Sequence, residues 1–451
     1  MSHDEAKAIG DLLAQYADLF RCFEAEGEEL VIVGGAVRDL IAQAAVPAKL
    51  DVDFATSALP DKTVAILKNH KIRFFKTGIR FGTISALHEA SGKTLEITTY
   101  RPDESYTLGN RKPEVSFGTS LEDDLIRRDL SINAMALRGD GTIVDRFGGR
   151  EAIAARRLEV PGGGFERTRI ILRDDPLRIL RIARFAARLD FTPTEETTRA
   201  ATECAPWLQS ISHERWKAEL DKLLVAPHPG TGLRWLRATG ALPEVLDEAS
   251  PLLAGAALDH WLSGLATLPR QDNDLFLRWA SLLLGAATAQ SDPTRASTWP
   301  TVTARQAMTE AVADRLKWSN EERAVIGALL ALPFGVREAE AVSDLELRRW
   351  VAATEPHVAA QCSLLTALTP ATERAALDPF LARVAALQGS NSPVPRLPQG
   401  FGRLLIQTLA LSPGPAVGEA VDAVRDAIVD GILPNGAAAE RYLDWLRDAR
   451  R

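Results

Sequence analysis

The feature that most restricts this chain is a change of rhythm near Gly149. Before it, short β-rich runs such as "LVIV", "DVDFAT", "RFFKTG", "FGTISALHE" and "KTLEITTYR" are interleaved with helix-length stretches. After it Ala, Leu and Arg dominate, β-branched runs become rare, and Pro/Gly breaks separate segments of helical length. Alternating apolar residues mark half-buried strands, whereas a period of about 3.6 residues marks helices. The expected class is therefore α+β, a small mixed head over roughly the first 145 residues followed by an all-helical remainder. Joints are expected at Gly162–Gly164, at "APHPGTG" (226–232) and at "LQGSNSPVPRLPQG" (387–400).

Length and composition narrow the class further. A chain of 451 residues is long enough for about two to four domains with real cores. It has no apolar run of about 18 residues, so no spanning helix is expected. The start, "MSHDEAKAIGDLLAQYADLF", is an acidic amphipathic helix pattern and lacks the basic start and short apolar core of a secretory signal. Three dispersed cysteines, Cys22, Cys204 and Cys362, make neither a disulfide framework nor a zinc site. The expected compartment is the cytosol. A net charge of -7 excludes a uniformly basic nucleic-acid binder, yet Arg146 to Arg188 carries eleven arginines against five acids. One basic face on an acidic molecule follows.

Four runs carry chemistry. In "LDVDFAT" side chains two apart share a face, so Asp51 and Asp53 stand together while Leu50, Val52 and Phe54 face the other way. Like charges that close favour a cation between them, and hard oxygen ligands favour Mg²⁺. The competing reading is a solvated edge strand. Glu96 in "LEITTYR" offers a third carboxylate if its strand lies beside that pair, which would make a two-metal site for phosphoryl or nucleotidyl transfer. In "VGGAVRD" the Gly34-Gly35 turn opens a helix whose backbone N–H groups suit a triphosphate, with Arg38 one turn on; simple punctuation would look the same.

"DDLIRRDLSINAMAL" sets Arg127, Arg128 and Asp129 before what reads as an apolar helical stretch. These residues suit a ribose and a phosphate, or equally a surface ion pair. In "LRDDPLRILRIARFAARLDF", Pro176 suits a first helical turn with Asp174 or Asp175 as its cap. Arg178, Arg181, Arg184 and Arg188 share one side of that helix, with Leu180, Ala183 and Ala187 opposite. With Asp175 this face offers acceptors and donors to a nucleobase edge, or is a solvated basic face.

In this order the runs resemble the class II tRNA nucleotidyltransferase and bacterial poly(A) polymerase family, members of the polymerase β-like nucleotidyltransferases. "FGGREAI", "HERWKAELDKLL" and "LRATGALPEVL" extend the resemblance over about residues 30–245. It implies a catalytic head (1–145), a helical neck for base recognition (146–225), a helical body (226–335) and a tRNA-binding tail (336–451). It implies further that Asp51 and Asp53 hold the catalytic metals, with Glu96 the third carboxylate. Gly34, Gly35 and Arg38 would meet the triphosphate, Arg128 and Asp129 the sugar and phosphates, and Asp175, Arg178, Arg181 and Arg184 the base.

The reaction implied is template-independent addition of CCA to tRNA from CTP and ATP, with A-only addition or polyadenylation as the alternative. Two departures stand out. Asp174 replaces the usual Glu before Asp175, and "LLLGAA" stands where relatives with an HD phosphohydrolase domain carry His-Asp, with no second histidine near His260, so no phosphohydrolase activity is expected. The run "RPDESYTLGNRKPEVSFGTSLEDDL" resembles the full-length loop that such enzymes use to switch from C to A, which disfavours CC-only addition. The chain end, "YLDWLRDARR", lacks the strongly basic tail of a poly(A) polymerase.

Overall fold

The computed structural model describes residues 2–43, 50–101, 120–250, 252, 256–268, 274–291, 301–333, 339, 341–387 and 391–449. They form two compact units, Met1–Asp247 and Glu248–Arg451. Residues 102–119 of the run read as the C-to-A loop lie outside the described residues.

The first unit is built on β1 (Leu30–Val33), β2 (Asp53–Thr56), β3 (Phe74–Gly78), β4 (Thr83–His88), β5 (Lys93–Thr99), β6 (Met135–Arg138) and β7 (Ile143–Asp145). They lie in the order β3-β4-β5-β2-β1-β6-β7. All neighbours are antiparallel except β2 and β5, which run parallel. This is the mixed sheet expected of the head. Alternation sorts it into two faces. Leu30, Ile32, Phe54, Ile84, Ile97 and Leu137 pack under the helices His3–Gln15, Ala17–Glu24, Gly35–Gln43 and Pro60–Asn69. Val31, Val33, Ala55 and Ala136 face the other way, against Tyr100, Leu121 and Leu125. Asp53 pairs in register with Val33 and so belongs to this second, less covered face.

One expectation fails here. The apolar run after Asp129 is not helical: a short 3₁₀ turn, Ser131–Asn133, leads into strand β6. Ala, Met and Leu favour helix locally, but Ala136–Arg138 pair with Val31–Val33 inside the sheet, between β1 and β7, and that burial outweighs propensity. The ladder of β2 also begins only at Asp53, with Asp51 just ahead of it.

Helices follow in the same unit, though not helices alone as expected: Arg157–Leu158 and Thr192–Pro193 form a short parallel strand pair. Pro176 separates Phe165–Asp174 from Leu177–Leu189, whose Leu180, Ala183 and Ala187 are buried as the wheel requires. Residues 226–247 also belong to this unit, and Pro229–Ala238 packs on Leu177–Leu189. They touch at Gly232, where an added Cβ would lie 2.3 Å from the Ala183 carbonyl oxygen. Gly232→Ala is expected to lower the unfolding free energy by about 1–3 kcal/mol through overpacking, read by denaturant titration.

The second unit consists of helices and their connections, with no strand among its described residues. One core gathers Leu332, Trp350 and Phe380, another Phe401, Val424 and Tyr442. The "LLLGAA" run is buried in the Asp274–Ser291 helix, and the His260 ring nitrogen Nε2 lies 2.8 Å from the Leu368 carbonyl oxygen.

Candidate active site

The parallel pairing of β2 with β5 sets Asp53 directly opposite Glu96. Paired residues on neighbouring strands project to one face, so the carboxylates of Asp53 and Glu96 stand side by side, with Asp51 just before them. Partial desolvation raises the Asp53 carboxyl above its ordinary value, Asp51 and Glu96 raise it further, and Arg128 opposes them.

Such a group of acids is relieved by a cation. The donors are oxygen only, which suits a hard divalent ion. Among the described residues no three His, Cys, Asp or Glu side chains come together closely enough to hold a metal ion between them. The arrangement fits an ion taking one or two carboxylates and completing its shell with water and phosphate oxygens.

Beside the acids, β1 ends at Gly34, which takes φ +71° before the Gly35–Gln43 helix. A Cβ at Gly34 would lie 3.2 Å from Arg128 Nη1, so glycine serves both the turn and the close approach of that arginine. Arg128 is held in turn by the buried Asp124, whose Oδ2 accepts from its Nη2 at 2.9 Å and which also pairs with Arg127. Burial would raise the Asp124 carboxyl, but Arg128 and Arg127 outweigh it and hold it low.

Arg38 is almost fully buried and works as a brace. Its Nη1 donates to Asn133 Oδ1 at 2.6 Å and its Nε to Asp39 Oδ1 at 2.8 Å. Asn133 Nδ2 donates to Asp129 Oδ1 at 3.0 Å, and Asp129 Oδ2 accepts from Arg181 Nε and Nη2 at 3.0 and 2.6 Å. Arg188 Nη2 closes the circuit on Asp39 Oδ2 at 3.1 Å. Burial alone would raise the Asp129 carboxyl, yet Arg181 and the Asn133 amide hold it down to about 2.

The opposite wall is the start of the Leu177–Leu189 helix. Asp175 Oδ1 accepts from the Leu177 N–H at 3.3 Å, but Pro176 takes the N-cap position without a side-chain cap, so Asp175 makes a local turn rather than the cap expected of it. Arg178 Nη2 donates to the Arg127 carbonyl at 3.1 Å. Arg215 reaches Asp175 at 3.3 Å and was not singled out in the sequence; its "HERW" context carries no local mark of that contact.

These groups enclose a cavity of about 610 Å³. Asp51, Asp53, Glu96, Gly34, Gly35, Arg38, Arg128, Asp129, Asp175, Arg178 and Arg181 all line it, together with Arg101, Arg127, Arg188 and Arg215. Arg184 does not line it. It is drawn inward, 2.7 Å from Glu219, and lies over the Phe185 ring. An acidic metal-type wall thus faces an arginine-rich wall, with a phosphate-type turn between them.

Such a layout suits transfer of a nucleotide from a triphosphate. Residues 30–159 match the family described as "Poly A polymerase head domain", and residues 190–253 match "Probable RNA and SrmB- binding site of polymerase A". The chain is 32% identical to a CCA-adding enzyme of Geobacillus thermodenitrificans over 97% of both chains, and 33% identical to one of Geobacillus stearothermophilus over 94% of both. The crystal structure of Bacillus stearothermophilus CCA-adding enzyme in complex with CTP superposes with a TM-score of 0.69 at 27% identity, covering 100% of this chain and 99% of that one. This chain belongs to the CCA-adding enzyme family. Membership carries dependence on a divalent metal ion. No helix among the described residues is long and apolar enough to cross a membrane.

Proposed function

We propose that this chain adds CCA to the 3′ end of tRNA without a nucleic-acid template, using CTP and ATP, in the cytoplasm. The observation that carries the reading is the register of Asp53 with Glu96 inside the cavity that Asp175 and Arg178 also line. Acids for a metal and an edge for a base stand in one concavity. The metal is assigned as Mg²⁺, held by Asp51 and Asp53 with Glu96 beside them; when bound it neutralises charge on the attacking and leaving oxygens.

The chain's own residues do the rest. Gly34 and Gly35 let a triphosphate approach the backbone, and Arg128 meets its charge from across the turn. Arg38 and Asp129 keep that wall rigid from beneath, as their internal partners suggest. The carboxylate of Asp175 accepts and the guanidinium of Arg178 donates to the edge of the incoming base. The 3′-hydroxyl of tRNA then attacks the α-phosphorus, a new phosphodiester forms and pyrophosphate leaves. Within this reading the head (1–145) carries the metal wall, the neck (146–225) the base edge, and the body (226–335) and tail (336–451) hold the tRNA.

The test uses the full chain, Mg²⁺ and tRNA ending at the discriminator base. Two C and one A are expected to be added. Failure to incorporate CTP on that substrate, with ATP incorporated on tRNA already ending in CC, would replace this reading with A-only addition.

A further inference from the structure

The face of the sheet that carries the acids continues past them to an open edge. The pairings Asp53 with Glu96, Glu96 with Ser85, and Ser85 with Phe75 put four side chains in one row across β2, β5, β4 and β3. Thr98 and Thr83 lie on the same face, bonded to each other at 3.0 Å, and both line the cavity. With strands about 4.8 Å apart, Phe75 stands roughly 14 Å from Asp53 along this row. The face is half-exposed at Thr83 and Ser85 and exposed at Glu96, and Phe75 is 56% exposed at its end. The β3-β4 connection adds Phe81, also 56% exposed, two residues before Thr83.

A single exposed phenylalanine needs no explanation. Its electrostatic setting does. Between Lys62 and His88 the chain has five lysines and arginines and no aspartate or glutamate, in a protein whose acids outnumber its bases by 60 to 53. Lys71, Arg73, Lys76 and Arg80 are exposed, and among the described residues none of them pairs with a carboxylate. Arg73 stands immediately before β3, two residues ahead of Phe75. Exposed rings interleaved with unpaired cations form a stacking platform for unpaired bases and their phosphates.

We propose that this edge, Phe75 and Phe81 flanked by Arg73, Lys76 and Arg80, seats the single-stranded 3′ end of the RNA being extended. The inference rests on the proposed activity and adds to it the path of the strand: from the β3 edge, across Ser85 and the two threonines, to the acids. A single strand suits the platform because a base pair hides its faces within the stack. The bases stack, and the cations take phosphates without reading sequence.

The experiment compares wild type, a Phe75→Ala/Phe81→Ala variant, its Phe75→Trp/Phe81→Trp counterpart, and Lys76→Glu/Arg80→Glu. Each is measured for affinity to tRNA ending at the discriminator base and for KM of tRNA and of CTP. Loss of the rings is expected to weaken RNA binding and raise the KM for tRNA about tenfold or more, leave the KM for CTP unchanged, and be reversed by tryptophan. Charge reversal is expected to flatten the dependence of log K on log salt by about 0.7 per lost phosphate contact. All four sites are exposed, so the melting temperature should not move. Wild-type RNA affinity in the ring-deleted variant overturns the proposal while CCA addition stands. The proposal also fails if ring deletion only dissolves a dimer seen by sedimentation, since the edge would then seat a second copy. An inert wild type overturns the activity instead, and the binding measurement still scores the surface.

Discussion

Asp53→Asn is expected to cut incorporation of both CTP and ATP by about a hundred- to a thousandfold, the usual effect of removing one preorganised charge-stabilising group, while tRNA binding persists. Asparagine keeps the shape and removes the charge that a divalent ion needs. The direction of the Asp53 shift adds a second readout. Its folded-state carboxyl lies above the ordinary 3.8, so the folded protein binds that proton more tightly than the unfolded chain does. Its contribution to stability is therefore present in acid and is lost as pH rises from 3.8 through the raised value. At neutral pH, without metal, the ionised group opposes folding. The variant should then melt no lower than wild type, and divalent metal should raise the melting temperature of wild type alone, by mass action. An inert variant that melts well below wild type would have lost its fold rather than its metal site. A variant with normal turnover would remove Asp53 from the mechanism.

Much of this site was legible along the chain because its groups come in short runs tied to local rules. Alternation put Asp51 and Asp53 on one face, a Gly-Gly turn marked the phosphate-type loop, and the helical wheel separated the arginines from Leu180 and Ala183. What local rules do not carry is pairing at a distance. Nothing in "LEITTYR" says that β5 runs parallel to β2 and meets it with Glu96 opposite Asp53, because sheet order is set by how the whole head buries its apolar faces. The same holds for residues 135–138, whose helix-prone composition yields to a place between two strands of the sheet. The arginine stripe shows the limit most clearly. Arg178, Arg181 and Arg188 meet the cavity, but Arg184, equally well placed on the wheel, is claimed by Glu219 from the His213–Leu224 helix. Arg215, from that same helix, supplies a cavity cation instead.

Asp129→Ala is expected to cost about 3 kcal/mol of stability, the lower end of what breaking a buried ion pair costs, because Arg181 keeps partial access to water. The loss should not stay local. Arg181, Asp129, Asn133, Arg38, Asp39 and Arg188 form a closed circuit that leaves the Leu177–Leu189 helix near its start and returns to it near its end. That circuit clamps the helix bearing the base edge to the helix behind the phosphate-type turn. Removing Asp129 leaves Arg181 without its carboxylate and the Asn133 amide without its acceptor, so KM should rise for CTP and ATP together rather than for one of them. A double-mutant cycle of Asp129→Asn with Arg181→Met isolates the pair; the double variant should cost clearly less than the sum of the single ones. The pH dependence has a fixed sign. The folded carboxyl is held at about 2, below its ordinary 3.8, so the stabilisation is present above 3.8 and lost as pH falls from there through about 2. The stability gap between wild type and Asp129→Asn should be flat at neutral pH and close only in that acid window. A gap that closes near neutrality would mean that this carboxylate is not the paired, ionised group that holds the two helices together.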